Sequence, residues 1–134
     1  MKVVSQNGVK LAMVLGGEDF KDGLSFFTDN GDFIQLGSWR YAAGTRLAAH
    51  NHNTVPRRSD RTQEAVVVLR GRLRASVYSE EDVLLDRIEA GPGEVMLFLA
   101  GGHGYEILED DTVVVEVKNG PYPGPEADRR RLSQ

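Results

Sequence analysis

The chain has 134 residues, enough for one domain with a real core, and its 40% hydrophobic and 27% charged content is ordinary for a globular protein. A net charge of −4 argues against a nucleic-acid binder, and the lack of cysteine excludes disulfides, thiolate catalysis and iron–sulfur ligation. Any metal must be held by His, Asp or Glu. The first residues carry no long apolar run of the secretory type and no stretch is long enough to span a bilayer, so a cytoplasmic protein without a membrane partner is expected.

In chain order, residues 3–4 and 9–15 read as strands around Asn7-Gly8, a strong hairpin dipeptide. Residues 24–28 and 33–36 flank the turn cluster Asp29-Asn30-Gly31-Asp32, and 38–41 continue or follow the second of these strands. Residues 44–52 hold two of the three histidines, His50 and His52, one residue apart. If this stretch is a strand, positions i and i+2 share a face and the two imidazoles stand side by side. Residues 53–61 are polar, contain Pro56 and read as a loop.

Residues 62–70 form a strand with the continuous apolar middle Ala65-Val66-Val67-Val68-Leu69, and Gly71 ends it. In residues 72–78, Leu73, Ala75 and Val77 alternate with polar neighbours. Strands over 83–88 and 94–99 follow, then the bend Gly101-Gly102-His103-Gly104, then strands over 105–108 and 112–118. In the last strand Val113, Val115 and Val117 make the expected inward face, with Glu116 and Lys118 outside. Residues 119–134 form an extended, proline-stiffened tail whose end, 126–132, is the best helical candidate. Roughly ten strands at intervals of eight to twelve residues mean an all-β sandwich or barrel in one domain.

Gly44, five residues, His50-Asn51-His52, then Glu64, six residues and Gly71 resemble the first motif of the cupins, small jelly-roll β-barrels. Gly93, five residues, then Leu99-Ala100-Gly101-Gly102-His103 resembles part of their second motif. The chain departs from the pattern in three places. Eleven residues rather than three or four separate His52 from Glu64, Leu99 stands in place of a proline, and Ile107 stands in place of an asparagine.

The resemblance implies a cupin-type jelly-roll barrel, with the core over about residues 24–118. It also implies one divalent transition metal (Fe, Mn, Ni, Co or Zn) on His50, His52, Glu64 and His103. With a small-molecule ligand in the barrel, the implied chemistry is that of an isomerase or epimerase, a dioxygenase or a decarboxylase, on a carbohydrate-like or carboxylated metabolite. Tyr105, two residues beyond His103, is the candidate catalytic acid or base. Alternatives are a metal-free sugar isomerase or epimerase using the histidine pair as acid and base, and a non-enzymatic metabolite-binding module. Arg46 either enters the lumen to bind an anion or lies at the rim. A homodimer is expected, paired through the apolar strand of residues 10–15.

Overall fold

The structure is a computed structural model that describes residues 1–132, so the last two residues of the predicted tail lie outside the described residues. It contains ten strands: β1 (Lys2–Gln6), β2 (Val9–Leu15), β3 (Gly23–Phe26), β4 (Gly37–Arg40), β5 (Glu64–Arg70), β6 (Leu73–Tyr78), β7 (Leu84–Ala90), β8 (Val95–Phe98), β9 (Gly102–Ile107) and β10 (Val113–Lys118). One short helix, α1 (Pro125–Asp128), follows in the tail. Asn7 and Gly8 both take positive φ, 51° and 81°. That is the turn geometry that matches strand twist, and glycine adopts it without a Cβ clash.

The strands make a five-stranded sheet, β1-β2-β8-β5-β10, a three-stranded sheet, β7-β6-β9, and the separate hairpin β3-β4. Every ladder is antiparallel. The protein is nearly all β, and none of the sheets closes into a barrel.

Two layers of packing explain the sequence pattern. The inner faces of the two large sheets share one core, with Val66, Val68 and Met96 on one side and Leu73, Ala75, Val77 and Ile88 on the other. Burying each such side chain contributes roughly 1.5–3 kcal/mol. Over β2, β8 and the start of β5 the opposite face of the five-stranded sheet is also covered, where Met13, Leu15, Ala65, Leu97 and Leu99 pack against Phe20, Phe27, Ile34 and Leu36. A strand buried on both faces reads as a continuous apolar run, which is why β2 and β5 do not alternate. β6 has only one covered face, and its burial alternates residue by residue.

Four expectations are corrected. Residues 44–52 form no strand; the chain is irregular and exposed from residue 41 to 62. Residues 33–36 are irregular too, and the strand that pairs with β3 is β4, in the register Phe26↔Gly37. Ile34 and Leu36 are instead drawn onto the sheet surface by burial. Residues 10–15 cannot pair with a second subunit by strand addition, because β2 is hydrogen-bonded to β1 on one edge and to β8 on the other. In β10 the inward face is reversed. Val113, Val115 and Val117 are exposed, while Lys118 lies opposite Glu64 and Glu116 opposite Val66.

Candidate functional site

Glu64 is the first residue of β5 and is 3% exposed. Its position follows from Gln63, a buried side chain that ties three segments together. Gln63 Oε1 accepts the backbone N–H groups of Phe33 and Ile34 at 2.8 and 3.0 Å, and its Nε2 donates to the Leu99 carbonyl at 3.1 Å. Its own N–H donates to Asn119 Oδ1 at 2.7 Å. With the start of β5 pinned this way, the strand period turns Glu64 to the inner face beside Val66 and Val68.

A lone buried carboxylate would be costly, so it must be paired. Two sheets supply the partners. From β10, Lys118 Nζ reaches Glu64 Oε2 at 3.1 Å and Glu116 Oε1 at 2.9 Å. From β9, His103 Nε2 lies 2.8 Å from Glu64 Oε1, and the Tyr105 hydroxyl donates to the same oxygen. His103 and Tyr105 alternate along β9 on the face shared with Val77 and Ala75 of β6.

Phe98, directly across β8 from Glu64, completes the floor. Its ring lies 4.4 Å from the His103 ring, and 5.6 Å from that of Tyr105 in an edge-on arrangement. Gly101 sets the start of β9. It has φ 70°, and a Cβ there would collide with the Tyr78 carbonyl oxygen. Only glycine meets both conditions.

These contacts decide the protonation states. Burial by itself would push the Glu64 carboxyl up. The hydrogen bond and charge of His103, with the donors Tyr105 and Lys118, more than offset it and hold the carboxyl at about 2, below its ordinary 4.5. Burial, then the adjoining Glu64 carboxylate, raises the Tyr105 phenol well above its usual range, so its proton stays in place. The bond to Glu116 raises the Lys118 ammonium, with Glu64 adding to it against a smaller effect of burial.

The cluster borders a cleft of about 1380 Å³ that is also lined by Arg61 and the tail arginines Arg129, Arg130 and Arg131. Arg130 is tied to Asp82 by two contacts of 2.7 and 2.8 Å. The site is thus a fixed carboxylate, an imidazole with its Nε2 committed, a protonated phenol and an ammonium. His103 is partly exposed at the cleft wall, and no hydrogen bond among the described residues occupies its Nδ1.

Of the expected site residues, Glu64, His103 and Tyr105 come together. His50 and His52 do not join them. They lie on the exposed irregular stretch, with ring centroids 5.1 Å apart, and His50 Nδ1 lies 3.2 Å from the Ala48 carbonyl. Among the described residues no group of three or more His, Asp or Glu is placed to hold a metal ion. Both Glu64 oxygens are already taken by hydrogen-bond donors. As arranged, His50, His52, Glu64 and His103 do not fit a single cation. Arg46 is exposed on the same stretch as the two histidines.

Sequence reasoning placed Glu116 and Lys118 on the outside and did not single out Phe98. The one local signal was the even spacing of Glu116 and Lys118, which leaves open which face of β10 is inward. Compared with known proteins, the chain matches no family model, no curated protein and no solved structure.

Proposed function

We propose that this protein binds a small polar metabolite in the cleft above Glu64 and transfers a proton on it, as an isomerase or epimerase does. The observation that carries this reading is the Glu64–His103 pair at 2.8 Å, at the floor of an open cleft and backed by Tyr105 and Lys118. A carboxylate that accepts from Nε2 orients the ring and leaves Nδ1 as the proton acceptor. His103 would take a proton from a carbon next to a carbonyl. The Lys118 ammonium would steady the negative charge that develops on the carbonyl oxygen, and the proton would return to a neighbouring carbon or the opposite face. Atoms balance without an oxidant or reductant. Glu64 is too weak a base at neutral pH for that role and acts as a positioning residue, as does Tyr105.

Deuterium wash-in from D₂O, followed by NMR on a panel of aldoses, ketoses and their acids, tests this. Exchange that is lost in His103→Ala and persists with a chelator supports it. A panel member that binds without exchanging refutes it.

A second reading, a cupin-like fold with a divalent metal on His50, His52, Glu64 and His103, is favoured by two paired halves already formed. These are the His50–His52 pair and the Glu64–His103 pair. It requires residues 44–52 to move onto β9 and the donors on Glu64 to give way. Elemental analysis of protein purified without a histidine tag decides it, since stoichiometric metal that is lost in His50→Ala is its signature.

A further inference from the structure

The tail after β10 turns back over the molecule. No residue of 119–132 is buried, and α1 is a single turn. A segment of this kind has no core of its own and stays ordered only where it is tied down. Three contacts tie it, each on a different part of the fold. The Thr62 hydroxyl, two residues before Glu64, donates to the Asp128 carboxylate. Arg130 makes its two contacts with Asp82, in the turn between β6 and β7. Leu132 lies on Gly102, the residue before His103, where an added Cβ would come within 2.8 Å of Leu132 Cδ1.

These anchors span the site. Thr62 leads into β5 of the five-stranded sheet, whereas Asp82 and Gly102 lie on the turn and the edge strand of the three-stranded sheet. The tail therefore bridges the two sheets where Glu64 of one meets His103 of the other. Pro125, Asp128, Arg130 and Leu132 line the same cleft as His103 and Tyr105.

The turn that receives the tail is firm, and the tail's grip on it is weak. The fully buried Ser79 holds the turn. Its Oγ accepts the N–H groups of Glu81 and Val83 at 3.1 and 3.3 Å, and its own N–H donates to the Val83 carbonyl at 2.8 Å. The side chains of Arg130 and Asp82, by contrast, are 69% and 39% exposed. An exposed ion pair is screened by water and salt and contributes little. Local opening falls on the elements with the fewest buried contacts. Undocking the tail removes none of the buried side chains of either core, so it comes free while both sheets stay folded.

We infer that residues 124–132 are a releasable strap across the Glu64–His103 cleft. Docked, it hinders approach to His103; released, it admits a ligand. The strap governs access whatever the ligand is, so its failure leaves the proton-transfer reading standing.

Gly102 supplies a selective way to dislodge it. A Cβ there stands 3.5 Å from Tyr78 Cβ, an ordinary contact, and collides only with the tip of Leu132. Gly102→Ala therefore pushes the strap and not the sheet.

The probe is diethyl pyrocarbonate, applied to the full-length, untagged chain, with the modification of each of the three histidines followed by peptide mass spectrometry. His50 and His52, on the exposed stretch, are internal controls. Arg130→Ala and Gly102→Ala should each raise the His103 rate several-fold over wild type, with His50 and His52 unchanged. Salt at about 1 M should do the same to wild type and not to Arg130→Ala. Since the chain has no cysteine, Asp82→Cys and Arg130→Cys together give a unique pair that a short bismaleimide joins to fix the strap in place. His103 should then react several-fold more slowly than in the same chain with its thiols capped singly. An unchanged His103 rate in either single variant, or equal rates in the linked and capped chains, overturns the inference. The linked chain keeps the test decisive where Gly102→Ala disturbs β9 itself.

Discussion

Replacing Glu64 by glutamine removes the buried charge and keeps the shape. In the native site the carboxylate accepts from His103, Tyr105 and Lys118. The amide keeps one acceptor oxygen but turns an NH₂ toward one of these donors, so at least one is left facing another donor. Lys118 retains Glu116 at 2.9 Å and is not stranded, which limits the damage.

The pKa gap gives the size of the effect. Lowering the carboxyl from 4.5 to about 2 corresponds to about 3 kcal/mol of stabilisation at neutral pH, at roughly 1.4 kcal/mol per unit. Because the folded value is depressed, this stabilisation is complete above the unfolded value of 4.5 and is lost as pH falls through about 2. Wild type should therefore exceed Glu64→Gln by about 2–4 kcal/mol at pH 7. The gap should narrow by about 2 kcal/mol between pH 6 and pH 3.

Urea unfolding followed by far-UV circular dichroism is the suitable assay, since Trp39 is already exposed and its fluorescence reports little. A double cycle with Tyr105→Phe should show a coupling of about 1–2 kcal/mol. A gap below about 1 kcal/mol at pH 7, or one that does not change with pH, would falsify the account of a carboxylate held ionised by these three donors.

Other substitutions probe the supports. Gly101→Ala meets both an unfavourable φ and the Tyr78 carbonyl, and should cost about 2 kcal/mol or more in urea melts while shifting the His103 ring resonances. Gln63→Ala leaves the N–H groups of Phe33 and Ile34 without their acceptor, and a loss of about 2–4 kcal/mol is expected by the same measurement. Met96→Ala, at a fully buried position between the sheets, should lose about 2–5 kcal/mol and test the shared core. Arg130→Ala should leave the melting temperature unchanged within error, because its pair with Asp82 is exposed and screened by solvent.

The strands were legible where their causes are local. Asn7-Gly8 announces its hairpin through backbone angles that few residues adopt. The alternation in β6 reflects its single covered face, and the run Ala65 to Val68 reflects cover on both, while Leu69 at its end is exposed. His103 and Tyr105 were legible as a pair because a two-residue spacing on a strand gives one face. Lys118 was misplaced because its facing depends on the register of β10 against β5, which no stretch of β10 encodes by itself. The histidine strand failed for a related reason. Residues 44–52 carry two histidines at strand spacing, but no hydrogen-bonding edge within this chain takes them.

The sequence by itself determined that the chain is nearly all β, where most of its strands extend and where they turn, since steric preference and side-chain period act over a few residues. Tertiary structure alone decided that Glu64, His103, Tyr105 and Lys118 converge, and that His50 and His52 stand apart from them. The reason is that burying a carboxylate is tolerable only where distant strands bring donors to it. That meeting depends on how the sheets pair and stack, which is a property of the whole chain.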